Sequence, residues 1–427
     1  MGANRSAQRT SPVRPAGGGT WTAILLVVVT LAAAAAPLHA RRLQNQAAPT
    51  LEQLGDDVDS SDPKVRRKAL EALAGLGAEG LDPLSRLVAD PVRAIRRDAI
   101  AAVLAIYVQP PAGEQVKSAE DAFEWAPYRA TPWAQPSDLV TNLVRALGDE
   151  WSLVRRDAVY ALGVVSAPPV DKGLANELIF SLADPAAPVR LAAARVLGRL
   201  RVTQAGDPLI GHIGDQVLAV RLASMRALGE IQERRALVAL RQQLDYFERG
   251  SAGRAALDGL ARIAHPSSAA LFAEERHSSN AVLRRHAYEG LARLGGIPAG
   301  EVAMVEAVMT EERNTEAGLA MAFALAAAGH PYVDRIVQAL AVRGTAEQAL
   351  EYVVELGRSQ PDAIVPHLQH ADAAVREHVA MAVGFVGGTN AEAALTQIAN
   401  DSSPEVRHAA EVALMRMRVH QTPTERR

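Results

Sequence analysis

A short string recurs through this chain, in its most regular stretches at intervals of 30 or 31 residues, and that period limits the fold more than any other feature. The string is a β-branched residue or leucine followed by Arg, a small residue four places after the first, and Leu or Val at the eighth. Val189-Arg190 leads to Ala193 and Leu197, Val220-Arg221 to Ser224 and Leu228, and Val406-Arg407 to Ala410 and Leu414. Val65-Arg66, Ile95-Arg96, Val154-Arg155, Leu283-Arg284 and Val375-Arg376 open the same pattern. Residues four and eight apart share one face of an α-helix, so each string predicts a helix with a fixed buried stripe. Weaker copies fall at 252–263, 315–329 and 345–357, the last two without the Arg, which brings the count to about eleven.

Second helices are predicted between the strings, at 81–88, 137–147, 174–182, 236–244, 302–309, 332–340, 363–368 and 391–398. Each is apolar on one stripe, and most are bounded by Gly, Pro, Asp or Asn. A helical hairpin of this size cannot bury its face alone, whereas stacked hairpins share one continuous core. Composition agrees: 49% of residues are hydrophobic but only 4% aromatic, and alanine carries much of the total, which suits closely packed helices better than sheets. The glycines Gly163, Gly198, Gly229 and Gly357 read as helix terminators.

The Val-Arg-x-x-Ala-x-x-x-Leu strings, most with an Asp shortly before them, resemble HEAT repeats, specifically the short HEAT-like repeats of phycobilisome-lyase-type proteins. The resemblance covers residues 51–418. It implies an all-α fold, an α-solenoid forming a right-handed superhelix of about eleven hairpins. It also implies a non-catalytic interaction scaffold with another protein as partner and no cofactor. A lyase-type enzyme or chromophore-binding protein is the alternative that the resemblance carries. HEAT-like di-iron hydroxylases have repeated His-Glu dipeptides, and this chain has none.

The arginines Arg66, Arg96, Arg155, Arg190, Arg221, Arg284, Arg376 and Arg407 form one column. Asp62, Asp90, Asp149, Asp184, Asp215, Asp372 and Asp401 precede seven of them by four to six residues. Such rows can form an anion-binding ladder or a structural Asp–Arg ladder in which each Arg holds the turn of a neighbouring unit. The near-equal number of Asp favours the structural reading, because an anion-binding ladder would not neutralise itself.

One unit is interrupted. Ile95 and Val154 are 59 residues apart, and the excess is a Pro-rich insertion at 108–136. Tyr107, Phe123, Trp125, Tyr128 and Trp133, five of the seventeen aromatic residues, fall in or beside it. Insertions in solenoids emerge as loops on one face, often the binding face. These five are therefore the candidate partner-binding residues. The competing reading is a loop that folds back and buries its aromatics on the early repeats. A long face formed by the second helices is the other expected partner surface, with Arg145, Lys172, Glu177, Gln242, Glu274, Arg335 and Gln338 exposed on it.

Other chemistry is sparse. His367, His370 and His378 lie within twelve residues and are a weak metal candidate. No P-loop, G-x-S-x-G elbow or H-E-x-x-H helix occurs, so no catalytic residues are assigned. Gly75-Leu-Gly-Ala-Glu-Gly80 fits G-x-G-x-x-G but follows a predicted helix rather than a strand, so it reads as a turn. The absence of cysteine excludes disulfides and thiolate sites. With 45 basic and 48 acidic residues there is no basic footprint for nucleic acid.

Residues 1–40 read as an address. Arg5, Arg9 and Arg14 precede an apolar run at 21–36, and Leu38-His39-Ala40 supplies a small-residue cleavage site. That is the order of a secretory signal peptide. A retained single-pass inner-membrane anchor is the first alternative, since the run is near the lower limit of a span; an unusual leader or misplaced start is the second. The expected organisation is signal or anchor at 1–40, linker at 41–50, solenoid at 51–418 and polar tail at 419–427. The expected location is exported, periplasmic or secreted, with membrane contact only if 21–36 is retained.

Overall fold

The protein is represented by a computed structural model that describes residues 49–111, 113–136, 138–248 and 250–421. The expected signal or anchor, most of the linker and the end of the tail lie outside the described residues. Among the described residues no helix is long and apolar enough to cross a membrane.

Thr50–Arg427 is one compact unit. Its described residues form eleven hairpins, each a short helix followed by a longer one. The long helices, numbered here by repeat, are Pro63–Ala74, Arg93–Tyr107, Ser152–Val165, Ala187–Arg199, Leu218–Glu230, Ser251–Ile263, Ala281–Arg293, Thr315–Ala327, Ala346–Ser359, Ala373–Val386 and Pro404–Gln421. The all-α solenoid follows from their stacking, each on the next. The only β feature among the described residues is an isolated bridge between Val108 and Ala130. The last helix runs to Gln421, three residues into the stretch read as a polar tail.

The stripe residues make the core. Val154, Ala158 and Leu162 of the third repeat and Val189, Ala193 and Leu197 of the fourth are buried. The glycines read as terminators lie inside the long helices instead. They mark close approach between repeats, as Gly384 also does: a Cβ on Gly198 would stand 2.8 Å from Ala227 Cα, and one on Gly384 would stand 2.8 Å from Ala413 Cα. Helix backbones this close leave no room for a methyl.

Short helices at Leu51–Asp57, Gly206–His212 and Ala269–Glu275 complete the remaining hairpins. Gly206-Asp-Pro-Leu-Ile-Gly-His212 carries two glycines and a proline in seven residues, a poor helix by propensity. It is held by docking of Leu209 into the core. Gly75–Gly80 is a turn between helices, with Gly77 at φ +60°.

The turns are braced by Asp and Arg. Asp184 Oδ1 accepts from Ala186 N at 2.8 Å, which shapes the turn before the fourth long helix. Both oxygens of Asp184 also receive the fork of Arg155 from the preceding repeat, at 2.6 and 2.8 Å. The remaining Arg155 nitrogen, Nη1, donates to Asp149 O in its own turn at 2.8 Å. Arg66 on Asp90, Arg190 on Asp215 and Arg376 on Asp401 repeat this bidentate geometry, and Arg96 meets Asp149 at 2.6 Å. Arg284 uses Glu312 in place of an Asp. Arg221 and Arg407 keep only the bonds to their own turns, at Asp215 O and Asp401 O. No Asp occupies the next turn for Arg221, and Arg407 lies in the final repeat.

Candidate protein-binding chamber

Each long helix carries a second register, at the sixth and tenth residues after the string's first. These positions hold Arg195 and Arg199 in the fourth repeat, Arg226 and Glu230 in the fifth, and Asp258 and Arg262 in the sixth. They hold Glu289 and Arg293 in the seventh, Phe323 and Ala327 in the eighth, and Glu351 and Glu355 in the ninth. Most of them line a chamber of about 1420 Å³, bounded on another side by the insertion.

Charges meet across this chamber over large sequence separations. Arg262 reaches Glu351 at 2.7 Å, and Arg293 reaches Glu355 at 2.6 Å. The eighth repeat makes this possible. Its long helix is alanine-rich and buried from Ala317 to Ala326, and Phe323 stacks on Tyr352 at 4.2 Å. A small apolar inner face on that repeat lets the sixth, seventh and ninth repeats close over it.

Behind the wall, Asp258, His286 and Glu289 bring their donor atoms within 4.8 Å of one another, the sole such triplet among the described residues. Their lone pairs are engaged by protein. Arg262 donates to Asp258 at 2.9 Å, and Arg285 donates to Glu289 at 2.9 Å. His286 Nδ1 meets Glu289 at 2.8 Å, and the Tyr352 hydroxyl donates to Glu289 at 2.5 Å. Burial works against the charge on Glu289, but His286, Arg285 and Arg293 outweigh it and hold the carboxyl well below the usual range. The triplet is therefore the centre of an internal ion network. The histidines singled out in the sequence do not converge: His370 Nδ1 accepts from Asp372 N, and His378 Nδ1 bonds Ala374 O, each within its own turn or helix.

The insertion is not a loop throughout. Ala119–Arg129 is a helix, started by Ser118 accepting from Asp121 N at 3.0 Å and carrying Glu120 and Asp121 in its first turn. Its Phe123 ring lies 5.1 Å from Tyr160 and fills the space above Gly163. Arg199 donates to Phe123 O at 2.9 Å. Arg195 donates to Glu120 at 2.7 Å and pairs with Glu124. At the other end, Arg129 meets Glu377 of the tenth repeat at 3.0 Å, and Tyr128 sets its edge against Phe385 with centroids 5.7 Å apart. Arg416 of the eleventh repeat lies over Phe385 and donates to Ala130 O at 2.8 Å. The insert helix thus joins the third and fourth repeats to the last two.

Arg199 and Arg416 donate to backbone carbonyls of the insert. Burial lowers each to about 10, and for Arg199 the nearby Arg416 adds to the effect. Arg416 Nη1 is buried without a partner. Two desolvated cations are therefore held against carbonyls of the insert, Arg199 at mid-helix and Arg416 just past the helix end.

This geometry corrects the candidate list. Tyr107 and Phe123 are core residues, 2% and 6% exposed; Phe123 also borders the chamber, and Tyr107 does not. Trp133 is half-buried and donates from Nε1 to Ile106 O at 3.2 Å, which ties the insert to the second repeat. Trp125 lines the chamber, as does Tyr128. Arg145, Lys172, Glu177, Gln242, Glu274, Arg335 and Gln338 are exposed on the short helices, and none of them lines the chamber. The enclosed surface belongs to the long helices. The signal that would have found it was present: reading the sixth and tenth columns, rather than the Arg column, shows charge at inward positions in successive repeats.

A model of the HEAT-repeat family matches residues 175–252 and 361–424. No curated protein matches the chain. Among solved structures, a crystal structure of an engineered protein from the Northeast Structural Genomics Consortium is similar at 18% identity, with a TM-score of 0.36 over 86% of this chain and 88% of that one. A structure of Kap95p with RanGDP is similar at 13% identity, with a TM-score of 0.38 over 87% of this chain and 55% of that one. The same hairpin runs from the first repeat to the eleventh, and the family's own pattern is matched in two separate parts of the array, so this chain carries HEAT repeats over residues 175–252 and 361–424.

Proposed function

We propose that the protein is a non-catalytic interaction scaffold that binds a segment of another protein in the chamber. The observation that carries this is the chamber itself. At about 1420 Å³ it exceeds the roughly 300–1,000 Å³ usual for small-molecule sites. Its wall alternates ion-paired Arg and Glu with Trp125 and Tyr128, the mixed charge and aromatic anchoring of protein recognition. A photoreactive residue at position 125 is expected to crosslink one specific partner in native cells, and one at the exposed position 177 is not. Equal crosslinking from both positions would place the partner on the outer face instead.

The scaffold is proposed to act in the cell envelope, on the strength of the basic, apolar and small-residue order of residues 1–40. Intact-mass measurement of the protein from its native cells tests this. A mature N-terminus near Arg41 is expected; a retained 21–36 segment would make the scaffold membrane-tethered.

A further inference from the structure

We propose that the insert helix Ala119–Arg129, one wall of the chamber, covers an adjoining part of the partner site, and that the partner extends into that part with an acidic, aromatic helix of the same kind. The inference rests on the chamber being the partner site and names the chemistry it selects. The insert helix is seated by four features. Acidic side chains in its first turns, Glu120 and Glu124, meet Arg195. One aromatic residue, Phe123, enters the space that Gly163 leaves open. Backbone carbonyls at its middle, Phe123 O, and just past its end, Ala130 O, accept from the buried guanidinium groups of Arg199 and Arg416. A basic residue at its end, Arg129, meets Glu377.

Glu230 favours the charge on Arg199, but burial outweighs it. Arg199 and Arg416 are cations in a desolvated position, bonded to carbonyls rather than carboxylates, and Arg416 Nη1 is 93% buried as part of its residue and unpaired. An isolated charge left there would be unfavourable, so the surface is built around the insert backbone that satisfies it. The insert carboxylates, by contrast, remain about half exposed, at 47% and 52%. Exposed ion pairs of that kind hold weakly, so the N-terminal half of the insert is the half that a competing acidic helix can displace first.

The test uses a fluorescent synthetic peptide of residues 117–131 and the full chain. In the wild type the tethered insert covers that part of the site, and apparent affinity for the peptide is reduced by the small fraction of open molecules. Phe123→Ala with Arg129→Glu removes two of the insert's own anchors while the peptide retains them. The expected result is a gain in affinity of about tenfold or more over wild type. Adding Arg195→Glu should abolish that gain, and a peptide with Glu120→Lys and Glu124→Lys should restore it. Should Phe123→Ala cost the fold, as read by circular dichroism, the same titration on Arg129→Glu alone decides. Equal affinity for wild type and released variant, or binding indifferent to the Arg195 charge swap, overturns the proposal. If the peptide fails while crosslinks from position 125 still capture one partner, the chamber reading stands and the mimicry falls.

Discussion

Arg129 and Glu377 meet at 3.0 Å although 248 residues separate them in sequence. Both side chains are about 15% exposed, at 16% and 15%. The pair fastens an insertion in the early repeats to the penultimate one, in an array whose other bracing contacts mostly join neighbours. Its effect is therefore on the geometry of the arc more than on the stability of any one hairpin.

Reversing either charge should loosen that fastening. Arg129→Glu or Glu377→Arg is expected to raise the radius of gyration in solution scattering and to expose residues 108–136 to protease. The double reversal should recover both. A double-mutant cycle should return a coupling of about 0.5–3 kcal/mol, as found for residues in contact. A radius unchanged by either single reversal would show that Arg416 and Phe123 suffice to hold the insert.

The ladder gives an internal contrast. Arg66 and Asp90 form a bidentate pair with 8% and 1% side-chain exposure, whereas Arg221 bonds only backbone carbonyls. Asp90→Ala should destabilise by about 3 kcal/mol, because it strands a buried guanidinium. Arg221→Ala should cost clearly less, since no carboxylate loses its partner. Chemical denaturation of both variants checks this, and equal losses would remove the ladder's energetic role.

Glycine positions give a sign test. Gly→Ala inside a helix ordinarily stabilises by about 0.5–1 kcal/mol. That is expected at Gly318, where nothing lies closer than 3.9 Å to the new methyl. At Gly198 and Gly384 the methyl would meet backbone at 2.8 Å, so overpacking of about 1–3 kcal/mol should prevail and lower the melting midpoint. Ala193→Arg, at a fully buried stripe position, should be worse than either.

Acid should weaken the array through the ladder. The Arg376 fork holds the Asp401 carboxyl down to about 2, and Arg190 lowers Asp215 in the same way. An unfolded Asp titrates near 3.9. A carboxyl with a depressed folded pKa contributes stability that is present above the unfolded value and lost as pH falls through the folded one. Melting midpoints should therefore be insensitive to these groups above about pH 5 and fall between about pH 4 and pH 2. Asp401→Asn should make that fall shallower, and an unaltered pH profile would exclude Asp401 from it.

How much of this was readable beforehand divides along one physical line. The spacing of Val189, Ala193 and Leu197 and of its copies determined the helices, their buried stripe and the stacking of hairpins, because a period of four residues admits one helical face and a period of thirty admits one stacking neighbour. The Asp and Arg rows were legible for the same reason: they repeat with the unit. The chamber was not, because it depends on how far the stack bends. Its contacts include Phe323 of the alanine-rich eighth repeat stacking on Tyr352 of the ninth, and Arg262 and Arg293 reaching carboxylates 89 and 62 residues away. Nor could sequence alone place the insertion. Whether Phe123 and Trp125 face a partner or the protein itself is decided by what stands opposite them. For Phe123 the neighbours are Gly163, Tyr160 and Arg199; for Trp125 the opposing side is the open chamber. Local periodicity determines a repeat's own helices and its nearest neighbour; contacts between distant repeats arise from accumulated curvature, which only the assembled tertiary structure decides.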